Sequence, residues 1–240
     1  WKTATGCPGW SVQDNVAHLI DYEANLLGWP RPLHEVEAPP HAVNPMGVAN
    51  EVGVDARRPM TGAAVLEEFR RTVAARSEQL RLMVPADLAA EFDTPAGPGT
   101  VHDMLVLRVM DTWTHEQDIR RAVDRPGHDT GPVVEHSLDY FARFLPFVVG
   151  KKAKAPEGST VVFEIGASAS GDTRREVIEV VDGRARRAER ESDEPTVVLS
   201  MPATTFVALV GGRSDAPDDV VITGDEPLGS AVLAGMGFMP

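Results

Sequence analysis

Cysteine is nearly absent: Cys7 stands alone in 240 residues. A single thiol excludes an intrachain disulfide and a cysteine-rich zinc motif, and it fits a reducing cytoplasm. No apolar run is long enough to span a membrane, and no secretory leader pattern is visible. The first residue is Trp1 rather than methionine, so an upstream segment, a leader or a further helix, is expected. Positive charge is in deficit, with 36 acidic against 23 basic residues and a net charge of −13. Such a surface repels phosphate backbones and argues against a nucleic-acid partner. What is present is ordinary for a globular protein: 42% hydrophobic and 25% charged residues, enough for one large or two smaller domains with real cores.

Two hydrophobic periods divide the chain. In the first part the spacing is helical. Ser11 stands as an N-cap with Asp14 three residues on, and Val12, Val16, Leu19, Ile20 and Leu26 follow on one face up to Gly28. Residues 29–60 are proline-rich without a clear period and read as a long connection with at most a short helical turn. Thr61 caps a second helix carrying Val65, Leu66, Phe69, Val73 and Leu80, and "DTPAGPG" (93–99) reads as a loop. Thr100 caps a third helix that runs to about Asp124. A fourth covers 133–149, with Pro146 marking a kink or an early end. "GKKAKAPEGS" (150–159) reads as a linker. Beyond it the period becomes two, with strands expected at "TVVFEIG", "EVIEVVDG", "ARRAERE", "TVVLSM" and "VVITGD", and short helices at "ATTFVALVGG" and "PLGSAVLAGM". The fold class that follows is α plus α+β: a helical bundle over 1–149 and a small α+β domain over 156–240.

The third helix poses the chemical question. On a helical wheel Asp111, His115 and Asp118 fall within about 60° of one another, with Arg108 about 60° from Asp111 on the histidine side. The other sides carry Leu105, Val106, Val109, Met110 and Trp113, so this polar stripe faces other helices. Buried charge needs partners or a metal. Asp111 and His115, at i and i+4, present two donors from one face, and His18 on the first helix is a candidate third. Two imidazoles and a carboxylate with an open fourth position form a catalytic type of zinc site, with Asp118 and Arg108 behind the ligands. The competing reading is a structural Arg–Asp–His network with no ion, Asp118 pairing with Arg121 or Arg108.

Other candidates are weaker. His34 and His41 lie in the proline-rich connection, on the surface or on a lid over a site. His102 points about 180° away from Asp111, His128 lies in a turn, and His136 reads as structural. Cys7 has no neighbouring base in sequence to activate it as a nucleophile. "GDEPLG" lacks the glycine spacing and the lysine of a phosphate loop.

"TGCPGWSVQDNVAHLIDYE" and "RVMDTWTHEQDIRRAV" resemble the two motifs of the mycothiol-dependent maleylpyruvate isomerase N-terminal family, within the DinB-like metal-binding four-helix bundles. The resemblance covers most of residues 3–125. "PTVVLSMPATTFVALVGGR" and "VVITGDEPLGSAVLAGM" resemble, more loosely, the sterol-carrier-like module fused to that family. The resemblance implies an actinobacterial source and a DinB-like bundle followed by a sterol-carrier-like domain. It places His18, Asp111 and His115 on the metal-ligand positions. It implies a divalent ion, zinc before nickel or iron, and mycothiol as thiol cofactor. The expected activity is a cytoplasmic isomerase or thiol transferase acting on an electrophilic small molecule. The alternative is a non-catalytic binding, carrier or regulatory protein with a structural metal. In two respects the chain departs from the family: Asp111 stands where the isomerase branch carries glutamate, and the family's first bundle helix precedes the first motif.

Overall fold

A computed structural model describes residues 1–166, 173–189, 192, 194–213 and 218–239. It divides into two compact units, Trp1–Pro126 and Gly127–Met239. A helical N-terminal region is followed by a sheet-containing C-terminal one, as the change of period implied.

The first unit is built on three long helices. α1 (Val12–Leu26) begins at a capping box in which Ser11 and Asp14 satisfy each other's backbone N–H groups. α2 (Pro45–Asp55) lies inside the proline-rich segment, capped by Asn44 with Pro45 in its first turn. Eleven residues make it a full helix rather than the short turn expected from sequence. Its buried positions, Glu51, Gly53 and Val54, form no apolar helical stripe that could have announced it. α3 (Gly62–Leu82) starts at the Thr61 cap. Its buried positions are Val65, Thr72 and Arg76, whereas Val73 and Leu80 are each 38% exposed. The face chosen from apolar spacing is therefore only partly the buried one, because Arg76 is drawn inward by a carboxylate.

A short helix α4 (Pro85–Leu88) precedes a two-stranded hairpin, β1 (Glu91–Thr94) and β2 (Gly97–Thr100). This corrects the loop expected at 93–99: Thr94 Oγ1 donates to Gly97 O at 2.8 Å and closes the turn. α5 (Val101–Ala122) starts at a second capping box, Thr100 with Asp103. It buries Met104, Arg108, Met110, Trp113, Thr114, His115, Gln117 and Asp118. Both α2 and α3 pack against α1, and so does α5.

The second unit opens with α6 (Pro132–Ala142). A break at Arg143–Phe144 leads to α7 (Leu145–Phe147), and a π-helical turn covers Val148–Lys152. Pro146 lies just after that break, at the start of α7, as a proline in a helical run requires. The units thus divide at Pro126–Gly127, not across 150–159. Hydrophobic period misplaced the boundary because α6 is helical yet serves the second core: Val134, Leu138 and Phe141 are buried, and the Phe141 ring meets Phe206 at 6.4 Å. The sheet has the order β5–β4–β3–β6–β7, from β3 (Thr160–Gly166), β4 (Thr173–Val181), β5 (Arg184–Arg187), β6 (Val197–Pro202) and β7 (Val221–Gly224). β3 pairs in parallel with β6 and the other neighbours are antiparallel. The turn at Asp182–Gly183 has positive φ at both residues, as the "DG" hairpin signal demands. The end of the expected "ARRAERE" strand, at 190 and 191, lies outside the described residues. α8 (Ala203–Val210) and α9 (Glu226–Ala234) complete this unit.

Candidate metal centre

Three side chains from two helices converge in the first unit. His18 on α1 and His115 on α5 have ring centroids 4.9 Å apart, and Asp111 lies between their Nε2 atoms. His18 Nε2 is 3.3 Å from Asp111 Oδ2, and His115 Nε2 is 3.6 Å from Asp111 Oδ1. One donor atom from each residue lies within 4.8 Å of the other two. Donors about 2.1 Å from a common tetrahedral ion are separated by about 3.4 Å, a spacing of the same order, so these three residues could hold a divalent cation. Both histidines are buried, whereas the Asp111 side chain is 29% exposed. Of the three, Asp111 is the side chain with appreciable solvent contact.

The electrostatics suit a cation. Burial lowers the pKa of His18, against the opposing pull of Asp111, and so favours the neutral imidazole that a metal needs. Burial would raise the Asp111 carboxyl, but Arg108, then His115 and His18, outweigh it and hold the group well below the usual carboxylate range. Arg108 Nη1 donates to Asp111 Oδ2 at 2.6 Å, and its Nε donates to Glu23 Oε1 at 2.8 Å. Glu23 in turn accepts from Arg76 Nε at 3.0 Å. This Arg76–Glu23–Arg108–Asp111 chain ties α3, α1 and α5 together. Arg108 Nη2 is buried and has no acceptor among the described residues.

Aromatic walls complete the surroundings. Trp10 packs against both rings, 5.0 Å from His18 and 5.6 Å from His115, and its Nε1 donates to the buried Glu51 at 2.5 Å. Tyr22 meets the His18 ring edge-on at 5.6 Å and lies under the Arg108 guanidinium at 4.2 Å. Tyr22 also lines a cleft of about 450 Å³ together with Asn25, Arg31, Asn50, Phe92 and Met104.

The remaining sequence candidates separate clearly. Asp118 Oδ2 lies 3.3 Å from His115 Nδ1, on the side of the ring away from Asp111. His34 pairs with Asp55 at 2.7 Å and His41 with Glu51 at 2.8 Å; neither is at the centre. His41 fits because Gly9 has φ +75° and a Cβ there would overlap the imidazole. His102 is exposed, away from the stripe. Cys7, without a base beside it in sequence, lies in space within 4.8 Å of ligand atoms of His115 and Asp118. Sequence reasoning missed Trp10, Asn15, Glu23 and Arg76. Asn15 lies about 60° from His18 on a wheel of α1, so a wheel drawn for α1 as well as α5 would have exposed it, whereas Glu23, about 140° from His18, lies off that face.

Sequence models of known families match both parts of the chain. The one described as the mycothiol maleylpyruvate isomerase N-terminal domain matches residues 1–120, and the one described as the MDMPI C-terminal domain matches 135–231. Two crystal structures are similar in fold, those of the mycothiol-dependent maleylpyruvate isomerase and of a His-to-Ala mutant of it. The mutant aligns with a TM-score of 0.51 at 20% identity, covering 92% of this chain and 81% of that one. The unmutated isomerase gives 0.51 and 20%, over 91% of this chain and 80% of its own. No curated protein matches. No helix among the described residues is long and apolar enough to cross a membrane.

Proposed function

The chain belongs to the mycothiol maleylpyruvate isomerase family, and on that premise we propose that it is a divalent-metal-dependent enzyme that brings a small thiol to an electrophilic substrate. The carrying observation is the meeting of His18, Asp111 and His115 within 4.8 Å, with only the Asp111 side partly open. Two imidazoles and one carboxylate suit zinc first, and nickel or iron after it. A zinc ion in that set supplies one thing, a lowered pKa for a thiol that reaches it, so that thiolate forms near neutral pH.

The chain's own residues do the rest. His18 and His115 turn their Nε2 atoms toward Asp111. Asp111 contributes the negative charge and is held in place by Arg108, itself braced by Glu23. Arg108 keeps an uncommitted Nη2–H, a donor for an anionic oxygen of the substrate. Trp10 and Tyr22 keep the histidine rings out of bulk water. The thiol, taken as mycothiol from the family name, adds to a conjugated double bond. A C–S bond forms as the C=C π bond opens, and the electron pair moves onto the adjoining carbonyl. Rotation about the new single bond follows, and reformation of C=C expels the thiolate unchanged. Retention of the C–S bond, with a proton taken up from water at the enolate carbon, gives thiol transfer instead. Maleylpyruvate is the substrate of the named relatives, and Asp111 in place of glutamate leaves this chain's own electrophile a separate question. We place the protein in the cytoplasm, where a small thiol stays reduced.

The test is metal content of purified wild type beside His18→Ala, followed by thiol titration of the cobalt-substituted protein. Near one equivalent of ion in wild type, loss in His18→Ala and a sulfur-to-cobalt absorption band support the reading. Wild type without tightly bound metal, or no spectral response to thiol, would overturn it.

A further inference from the structure

A histidine that binds a metal must direct a lone pair at it, and the group at its other ring nitrogen decides whether it does. The two nitrogens of His115 meet different partners. Nε2 faces Asp111 Oδ1. Nδ1 lies 2.8 Å from Asn15 Oδ1 and 3.3 Å from Asp118 Oδ2. Asn15 is wholly buried. Its Nδ2 donates twice, to Thr5 Oγ1 at 3.1 Å and to Ser11 O at 2.9 Å. A flipped amide would lose both bonds and turn a donor toward Nδ1, so the orientation is fixed. An amide oxygen only accepts, so Nδ1 carries the proton and Nε2 keeps its lone pair.

We propose that Asn15 is a positioning residue that sets the tautomer of His115, and with it the affinity of the centre for its divalent ion. The inference rests on the metal reading above. It reassigns the supporting role that helix spacing gave to Asp118: the carboxylate on the same helix is 0.5 Å farther from Nδ1 than the amide from α1. It also gives the turn before α1 a task. Thr5 Oγ1, which accepts from Asn15, also accepts from the Cys7 N–H at 3.2 Å and donates to Trp10 O at 2.9 Å. "TGCPGW" is thus the outer frame of the centre, two hydrogen bonds from His115.

The direct test reads the tautomer of His115 by ¹⁵N NMR in metal-free wild type. Nδ1–H with an unprotonated Nε2 is expected; Nε2–H overturns the proposal. Zinc affinity is then measured by chelator competition for wild type, Asn15→Leu and Asp118→Asn. Asn15→Leu should weaken zinc by about 10–100-fold and allow Nε2–H to appear in the metal-free spectrum, a change that mere loosening of the fold would not produce. Asp118→Asn should lose less. Unchanged affinity in Asn15→Leu, or a larger loss in Asp118→Asn, overturns it. Should Asn15→Leu fail to fold, the wild-type tautomer still decides. A wild type that binds no zinc defeats the metal reading alone, because the tautomer is read without metal.

Discussion

Asp111 carries two loads on two oxygens. Oδ2 is held by Arg108 at 2.6 Å, and Oδ1 faces His115. An aspartate side chain is thus long enough to face both histidines. Asp111→Ala should remove most of the metal, whereas Asp118→Ala should lower affinity no more than about tenfold; equilibrium dialysis against zinc separates the two. The histidine beside it makes a pH prediction. The His18 pKa is lowered in the folded state by burial, so the unfolded chain binds more protons below about pH 6.5. Stability of the metal-free protein is then fully present above that value and falls as pH drops through it. The melting temperature should decline between pH 7 and pH 5, and the decline should be shallower in His18→Gln. At this scale the sequence was legible where spacing along one helix sufficed: Asp111, His115 and Asp118 share a face of α5. Glu23 and Arg76 were not legible, because each becomes meaningful only through a partner on another helix.

At the scale of elements, capping chemistry was the most readable signal. Ser11, Thr61 and Thr100 each begin the helix their side chains predict. α2 was hidden because its buried face holds Glu51 and Gly53, neither apolar in the periodic sense. Gly53 is there for Asp21: a Cβ would overlap that carboxylate, which Arg31 and Arg57 also share. Gly53→Ala should therefore destabilise the protein by about 1–3 kcal/mol, the usual range for overpacking, measurable by urea denaturation. An unchanged midpoint would mean that Asp21 moves aside freely. The hairpin at 91–100 reads as a loop over 93–99 because those residues, rich in glycine and proline, carry turn propensity and little strand propensity.

At the scale of the whole molecule, the two units have separate cores. Every group named at the centre lies in Trp1–Pro126, so a protein ending at Pro126 should bind zinc with the affinity of the full chain, checked by the same chelator competition. A large loss would mean that the second unit contributes to the centre. Fold class was readable from the switch of hydrophobic period, and the boundary was not, since α6 shares its period with the helices of the first unit and its core with the sheet. The convergence of α1 and α5 also bears on how the chain finds its native state. His18 meets Asp111 across 93 residues, and Asn15 meets His115 across 100. Closing a loop of that length costs entropy that no local turn repays, so these contacts form late, after the helices they join. An ion held by both helices, as proposed above, would act there as a reversible crosslink that slows the departure of α5 from α1. Loss of such an ion would loosen these contacts, and chelation would become a route to unfolding as well as to inactivity.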